Sequence, residues 1–257
     1  MRTGRGGLIG VLTLALLLLL APTAHALILS YSTPAGAVDS VGDPVSARAD
    51  VSTTAGVLTI TLTNLQNNPK AEGQLLSDFG FTLASNTTGL PFLVNGSITG
   101  SQGIERTIAA DKTFNLPGAP VAALWNLENN VGGGYRLCDL CAGGDAPAHT
   151  IIGGPDPGDA QHYTAANASI AGNGPHNPFL FGPTTFTITI AGLSSDIYVD
   201  SAFFSFGTVE GDKINAQCIL SCLPNLHRTP EPSSLLLMGA GLVALAGLGW
   251  RARRPAK

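Results

Sequence analysis

The chain has 257 residues, of which 17 are acidic and 13 are basic, and its net charge at pH 7 is −4. All the acidic residues lie between Asp39 and Glu231, so the middle of the chain is more acidic than the whole. Proteins that bind nucleic acid do so through patches of lysine and arginine, and this charge distribution argues against a nucleic-acid partner.

The N-terminal residues have the order of a secretory signal. Two arginines within the first five residues precede an apolar run over 8–21, and the small residues Ala24 and Ala26 follow it. This basic, apolar, small-residue order is typical of a signal peptide. The run has 14 residues, fewer than the roughly 20 that span a bilayer. We therefore expect residues 1–26 to pass through the secretion machinery and to be removed by signal peptidase after Ala26, the alternative being an uncleaved anchor.

Apolar and polar residues alternate in three segments of the middle region, 58–63, 79–83 and 185–190. A period of two indicates β-strands with one buried face, and here threonine supplies much of the polar face. The stretch 191–196 is turn-like, and we expect it to join 185–190 to a strand at 197–206 as a hairpin. Further strand candidates are 91–98, 103–109 and 121–127.

These patterns predict an all-β exported domain over residues 27–228. We find no long stretch of helical periodicity there, and glycine, proline, asparagine and aspartate separate many short apolar runs. That combination favours an antiparallel β-sandwich or a jelly roll. The domain holds 16 acidic and 7 basic residues, a net charge of −9.

A segment rich in glycine, proline, asparagine and histidine, 132–183, interrupts the domain. Long inserts of this kind often carry function. Candidate oxygen ligands for calcium in it are Asp145, Asp156 and Asp159, although their spacing does not match an EF-hand. The alternative is that these aspartates form solvent-facing turns, and that His149, His162 and His176 are loop histidines rather than metal ligands. We expect no cofactor, with calcium as the alternative.

Four cysteines form two closely spaced pairs, Cys138 with Cys141 and Cys218 with Cys222. In an exported protein, disulfides are the leading expectation. Three connectivities are possible, and the short-range one closes two small loops. A zinc site or a redox pair is the alternative for the same spacing.

The C-terminal residues have three parts in order. Pro230, Glu231 and Pro232 precede an apolar stretch, 233–250, that we expect to form a single transmembrane helix. A basic end, 251–257, follows it with Arg251, Arg253 and Arg254. Basic residues beside a span resist translocation, so these arginines act as the stop that keeps the C-terminus in the cytoplasm.

Residues 229–257 resemble the sorting tail of the PEP-CTERM proteins of Gram-negative bacteria. The resemblance implies that an exosortase, a transpeptidase-like or protease-like membrane enzyme, recognises the motif at 230–232 and cuts near it. It also implies an inner-membrane-anchored precursor whose domain is then delivered to the cell surface, the outer envelope or the medium. Family members often accompany exopolysaccharide production. The alternative is an ordinary single-span anchor.

For the exported domain we expect a non-catalytic cell-surface or extracellular-matrix protein linked to exopolysaccharide. The chain lacks the nucleophile-elbow, phosphate-loop and dinucleotide-binding motifs,. One alternative is a calcium-assisted carbohydrate-binding module in which aromatic side chains stack on sugars. The candidates for that stacking are Trp125, Tyr135, Tyr163 and Tyr198, although aromatic residues are only 6% of the chain and we expect Trp125 to be a core residue. A second alternative is a secreted glycan-acting enzyme, for which the sequence suggests no catalytic residues.

Overall fold

The computed structural model describes residues 28–115, 118, 120–141, 148–194, 196–208 and 212–220. Within these ranges there are thirteen β-strands, one 3-10 turn at Glu72–Gln74 and no α-helix, which confirms the all-β prediction for the described part of the domain. The strands are β1 Ile28–Ser32, β2 Ala47–Thr54, β3 Val57–Asn64, β4 Leu76–Ser85, β5 Gly96–Arg106, β6 Pro120–Val121, β7 Asn126–Val131, β8 Gly134–Cys138, β9 Ile151–Ile152, β10 Phe179–Ile190, β11 Ile197–Phe206, β12 Asp212–Asn215 and β13 Gln217–Leu220.

The predicted signal peptide, 1–26, and the predicted transmembrane helix, 233–250, lie outside the described residues. In the described ranges, no helix is long and apolar enough to cross a membrane.

The strands form one mixed sheet that is mostly antiparallel. Its main order is β12-β11-β4-β9-β10-β3-β2-β1-β13. In addition, β5 pairs with β10 and β6 with β5, while β8 pairs with β4 and β7 with β8. The short pair β9 and β10 is parallel. The principal core takes buried side chains from both halves of this order, including Val51 of β2, Ile60 of β3, Phe79 of β4 and Phe204 of β11. The sheet therefore encloses its own core in a sandwich-like arrangement.

The last described strands join the two ends of that order. β12 pairs with β11, and β13, which follows after Ala216 alone, pairs with β1. The Ala216 amide donates a 2.9 Å hydrogen bond to the Ala202 carbonyl of β11. The hydroxyl of Tyr31 in β1 donates to the Val199 carbonyl of β11. The first and last described strands are thus direct neighbours, with Ser30 opposite Leu220.

The alternating pattern predicts three strands that contribute to the core. In β3 the side chains of Leu58, Ile60 and Leu62 are fully buried, whereas the intervening threonines are half-buried. The outer threonines of β3 and β10 contact each other, and Thr61 Oγ1 lies 3.0 Å from Thr185 Oγ1. Each fully buried aliphatic side chain contributes about 1.5–3 kcal/mol to stability. The strand predictions at 58–63, 79–83 and 185–190 are confirmed.

The predicted hairpin between 185–190 and 197–206 is wrong. β10 pairs with β3, β5 and β9, whereas β11 pairs with β4 and β12. Between them the Leu193 side chain is buried, and the Leu193 carbonyl accepts a 2.8 Å bond from the Gly56 amide. The connection therefore carries the chain from one part of the sheet to another instead of folding it back.

Three other strand predictions had wrong bounds. The candidates 91–98 and 103–109 overlap a single strand, β5, which ends at Arg106. The candidate 121–127 covers parts of two strands, β6 and β7, separated by an irregular stretch at 122–125.

A second core orders much of the segment 148–178. Its buried side chains are Leu75, Ile108, Ile152, Tyr163, Ala166, Ile170 and Phe179. At its edge lies Arg106, only 6% exposed, with its guanidinium carbon 3.9 Å from the ring centroid of Phe114 and 3.3 Å from that of Phe181. Arg106 Nη1 donates a 3.0 Å bond to the Tyr163 hydroxyl, which donates a 2.8 Å bond to the Gly153 carbonyl. One arginine on β5 therefore connects β10 to the segment that follows β9.

We expect Arg106→Gln to lower the free energy of unfolding by about 3 kcal/mol, because it removes desolvated cation–π contacts and a hydrogen bond from a charged donor. The matched control is Arg48→Gln. Arg48 pairs with Asp50 at 2.8 Å, but its side chain is 44% exposed, and such surface pairs contribute less than about 1 kcal/mol. Urea unfolding followed by circular dichroism measures both changes. Equal losses for the two variants would contradict the structural role of Arg106.

Candidate functional site

The residues predicted to direct export lie outside the described ranges. These are the cleavage residues Ala24 and Ala26, the motif Pro230, Glu231 and Pro232, and the stop residues Arg251, Arg253 and Arg254. The described strands lie between these two sets of residues in the sequence. β1 begins at Ile28, and β13 ends at Leu220. Both predicted cleavage positions therefore fall outside the described strands.

The first cysteine pair forms a local disulfide. Cys138, the last residue of β8, is bonded to Cys141, with 5.3 Å between their Cα atoms. Cys218 of β13 is also disulfide-bonded, and its partner lies outside the described residues. Of the three connectivities that the sequence left open, the structure shows the short-range one for the first pair.

The Cys138–Cys141 disulfide lies beside a buried ion pair. Arg136 of β8 is 1% exposed, and its Nη2 lies 2.7 Å from Glu128 Oε2 of β7. Glu128, Cys138 and Cys141 are the only group of potential metal ligands that cluster within the described residues, at 4.8 Å or less from one another. Zinc binds thiolates rather than disulfide sulfurs, and the carboxylate already pairs with Arg136. This cluster in its oxidised form therefore does not fit a zinc site.

The candidate calcium ligands Asp156 and Asp159 lie in a turn, while Asp145 lies outside the described residues. Asp156 accepts from the Thr164 hydroxyl and from the Gly158 amide, and these bonds lower the pKa of its carboxyl. Asp159 lies 2.8 Å from His162 Nδ1, and this contact is the main reason that its pKa is lowered. Both side chains have a local hydrogen-bonding role in the turn.

The three histidines of the insert contact different partners. His149 is buried, with its Nδ1 accepting from the Leu124 amide at 3.3 Å and its Nε2 lying 3.1 Å from Glu105 Oε1. This pattern assigns the proton of a neutral His149 to Nε2. His162 contacts Asp159, and His176 Nδ1 lies 2.6 Å from the Ser169 carbonyl. Each ring therefore has its own partner.

Three of the four aromatic residues considered for sugar stacking are core residues. Trp125, Tyr135 and Tyr163 are no more than 5% exposed, and their polar atoms bond to backbone carbonyls of the domain. Tyr198 of β11 is half-buried, and its hydroxyl lies 3.3 Å from Asp200 Oδ1. The expectation that Trp125 is a core residue is therefore confirmed, and Tyr135 and Tyr163 are buried as well.

A cleft of about 640 Å³ lies where the last described strands, β12 and β13, join the sheet. It is bordered by β1, β4, the β7–β8 turn, β11 and the β12–β13 segment. Its lining includes Tyr31, Phe81, Thr82, Val131, Gly132, Gly134, Tyr135, Asp200, Ser201, Ala202, Phe203, Lys213, Asn215, Ala216 and Cys218. Pockets that bind small ligands combine apolar walls with a few polar groups in this way, and they measure about 300–1,000 Å³.

Phe203 projects from the outer side of the sheet, and its ring can lie over β4 because its neighbour on that strand is a glycine. Phe203 lies opposite Gly80 on one side and opposite Asn215 of β12 on the other. A Cβ atom added to Gly80 would lie 2.1 Å from the Phe203 ring, so the ring occupies the space above Gly80. Glycine inside a strand usually weakens it, and here it admits a close contact instead. Phe203 was not among the residues predicted from the sequence, and the glycine within the apolar strand β4 is the signal that indicates such a close contact.

Tyr31 forms the inner boundary of the cleft, and burial is the main cause that raises the pKa of its hydroxyl far above the ordinary value. Asp200 and Tyr198 contribute to the same shift. Burial also raises the pKa of Tyr135 and of Tyr163, the latter opposed by Arg106. In the unfolded chain these hydroxyls ionise at about pH 10.

Above that pH, the unfolded chain releases protons that the folded domain retains, so stability is present below about pH 10 and falls as the pH rises further. We expect the ultraviolet tyrosinate signal of Tyr31, Tyr135 and Tyr163 to develop together with the loss of circular dichroism. Tyr31→Phe should remove one group from this cooperative step, whereas the chain unfolded in urea should titrate without cooperativity. Full, reversible titration of all the tyrosines near pH 10 in the folded protein would contradict their burial.

Comparison with known proteins identifies the segment that follows the β-sheet. A family model described as the PEP-CTERM protein-sorting motif matches residues 228–254. No curated protein and no solved structure gives a significant match to the chain. The match begins after β13 and does not extend into the described strands. The chain therefore carries a PEP-CTERM sorting tail, the signal of an exported, surface-directed protein that is processed by an exosortase.

Proposed function

We propose that the domain is a non-catalytic component of the cell surface or of the extracellular matrix, associated with exopolysaccharide. It is made as an inner-membrane-anchored precursor and is separated from its tail by exosortase cleavage near Pro230, Glu231 and Pro232. The observation that carries this proposal is the sorting motif at 228–254. A protein with this address functions outside the inner membrane after processing.

The sheet supports this proposal by its position between the two address segments. All thirteen described strands fall within 28–220, and the motif match starts at 228. Cleavage after Ala26 and near Pro232 would leave every one of those strands in the mature protein. The pairing of Ser30 with Leu220 makes the first and last described strands direct neighbours.

The contacts of two glutamates of the domain, Glu105 and Glu128, support a structural role for these two residues. Glu128 is held by the buried guanidinium of Arg136, and Glu105 lies against His149. A glycoside hydrolase uses two carboxyl groups across a substrate site, one of which has to exchange protons. Glu105 and Glu128 instead anchor side chains of neighbouring elements, which fits a protein whose function depends on its surface.

A second candidate function, carbohydrate binding, is favoured by the cleft at Phe203. That cleft provides a half-buried aromatic ring together with exposed carboxylate and amide side chains. Glycan binding is compatible with a matrix role, since a matrix protein has to hold on to the material around it. Calcium assistance would require ligands other than the turn carboxylates of Asp156 and Asp159 in their present hydrogen bonds.

The sorting proposal predicts the result of changing the motif alone. In the native host, with an epitope tag placed after Lys257, the wild-type protein should lose the tag and be recovered outside the inner membrane. The triple variant Pro230→Ala, Glu231→Ala and Pro232→Ala should keep the tag and remain in the inner-membrane fraction, because proline and glutamate no longer define the cleavage site.

The matched control is Ser233→Ala with Ser234→Ala, which changes the adjacent residues and keeps the motif. It should be processed like the wild type. Immunoblots of fractionated cells against the tag and against the domain measure both outcomes. If the triple variant loses its tag as fast as the wild type, the motif is not the sorting signal.

A further inference from the structure

We propose that Asp39, in the connection between β1 and β2, is the principal ligand of a calcium site. This site is separate from the sorting function and from the aspartates that the sequence suggested as calcium ligands. Three features support it: a buried carboxylate oxygen that lacks a partner, glycines that keep side chains away from that oxygen, and the negative charge around it.

The protein uses only one of the two carboxylate oxygens of Asp39. Asp39 is 7% exposed, and its Oδ1 accepts hydrogen bonds from the amides of Val41 at 3.0 Å and Asp43 at 2.8 Å. Its Oδ2 is also buried, yet it has no hydrogen-bond partner among the described residues. Leaving a buried charged oxygen without a partner is costly, and native proteins satisfy such atoms with a bound water or ion.

Two glycines lie beside this oxygen. A Cβ atom added to Gly73 would be 2.6 Å from Asp39 Oδ2, so any other residue at this position would press against the carboxylate. Gly207 follows β11, and a Cβ atom added to it would be 3.7 Å from the Gly73 Cα atom. Asp39 Oδ2 therefore lies where the 3-10 turn and the end of β11 meet, at a point that is kept free of side chains.

The burial of Oδ2 favours an ion over a water molecule. Oδ2 has almost no surface that water can reach. Calcium lies about 2.3–2.6 Å from its oxygen ligands, whereas a water oxygen donates a hydrogen bond over about 2.7–2.8 Å. A space between oxygens that is too narrow for water can therefore hold calcium.

The surroundings of this oxygen are acidic. Asp212 of β12 accepts a 3.1 Å bond from the Ser40 amide through its Oδ2, so a second carboxylate borders the connection that contains Asp39. Lys70 pairs with Asp43 at 3.2 Å, but in the described ranges no basic side chain forms an ion pair with Asp39. The domain has a net charge of −9 over residues 27–228. Its negative potential attracts divalent cations.

Calcium suits these ligands better than zinc or magnesium does. Zinc is bound mainly by cysteine and histidine, and magnesium requires a nearly ideal octahedron, whereas calcium accepts about six to eight oxygens in a flexible geometry. Asp39 and Asp212 belong to no group of three potential side-chain ligands in the part of the chain that the structure describes. Backbone carbonyls and water therefore complete the coordination. Calcium sites of extracellular modules bind with Kd values of about 0.1–1 mM.

Thermal unfolding of the protein purified from its native host tests this site. Calcium is first removed with EDTA, and the chelator is then dialysed away. We expect about 10 mM CaCl2 to raise the Tm by about 3–5 °C, the shift that a Kd of about 1 mM produces in a domain of this size. MgCl2 at the same concentration should give less than half of that shift. Isothermal titration calorimetry with CaCl2 measures the binding directly.

Asp39→Asn is the decisive variant. Its amide oxygen can keep the bonds from Val41 and Asp43, while an NH2 group that cannot bind calcium replaces Oδ2. It should lose both the calcium-induced Tm shift and the calorimetric signal. Asp212→Asn should weaken calcium binding several-fold, because it removes a negative charge next to the site. Circular dichroism establishes that each variant is folded.

The matched control is Asp159→Asn, which removes the same charge from a turn elsewhere in the domain and should respond to calcium like the wild type. The absence of a Tm shift with calcium, an equal shift with magnesium, or an unchanged calcium response in folded Asp39→Asn would each overturn the proposal. An equal loss of response in Asp159→Asn would indicate a general effect of charge and would overturn it as well. None of these outcomes depends on tail removal, so they are distinguishable from failure of the sorting proposal.

Discussion

Residues 212–220 pair with two strands that are far apart in the sequence, β11 and β1. The arrangement of the sheet depends on this double pairing. β12 bonds to β11 and β13 bonds to β1, so that one short segment connects the two ends of the strand order. Tyr31 reinforces this junction by donating its hydroxyl to the Val199 carbonyl. Edge strands exposed by the loss of this segment would be open to association with other chains. The last strands before the sorting tail are therefore part of the core structure.

This junction also determines where the cleft lies. It places the first described strand beside the last one, and the cleft takes residues from both ends of the strand order. Tyr31 on β1, Phe203 on β11 and Asn215 on β12 all line it. The second core around Arg106 and Tyr163 has a different task, since it orders the glycine-rich region against β5 and β10.

Local patterns in the sequence predicted local features well. The alternation of leucine and isoleucine with threonine located β3, because one face of that strand is buried and the other is not. The sorting tail was recognisable for a similar reason: a processing enzyme reads a short contiguous motif, and the family comparison bears this out. The local disulfide between Cys138 and Cys141 was among the pairings that the sequence allowed.

Features that depend on distant residues could not be predicted in this way. The turn-like residues 191–196 indicated a hairpin, but burial of Leu193 and the partners of β10 and β11 decided the connection. Trp125 was expected in the core, but Tyr135 and Tyr163 could not be distinguished from surface aromatics until their burial was known. Phe203 became a candidate only when its position above Gly80 was seen, 123 residues away in the sequence.

We expect the folded β domain to reach the outside of the inner membrane through removal of both end segments. The decisive experiment is intact-mass and terminal-peptide mass spectrometry on the protein recovered from the envelope and the medium of its native host. We expect a mature species that begins at Leu27 and ends near Pro230, Glu231 or Pro232, without the residues from Leu235 to Lys257. A mature, membrane-bound species that still contains Lys257 would contradict it and would identify the tail as a permanent anchor.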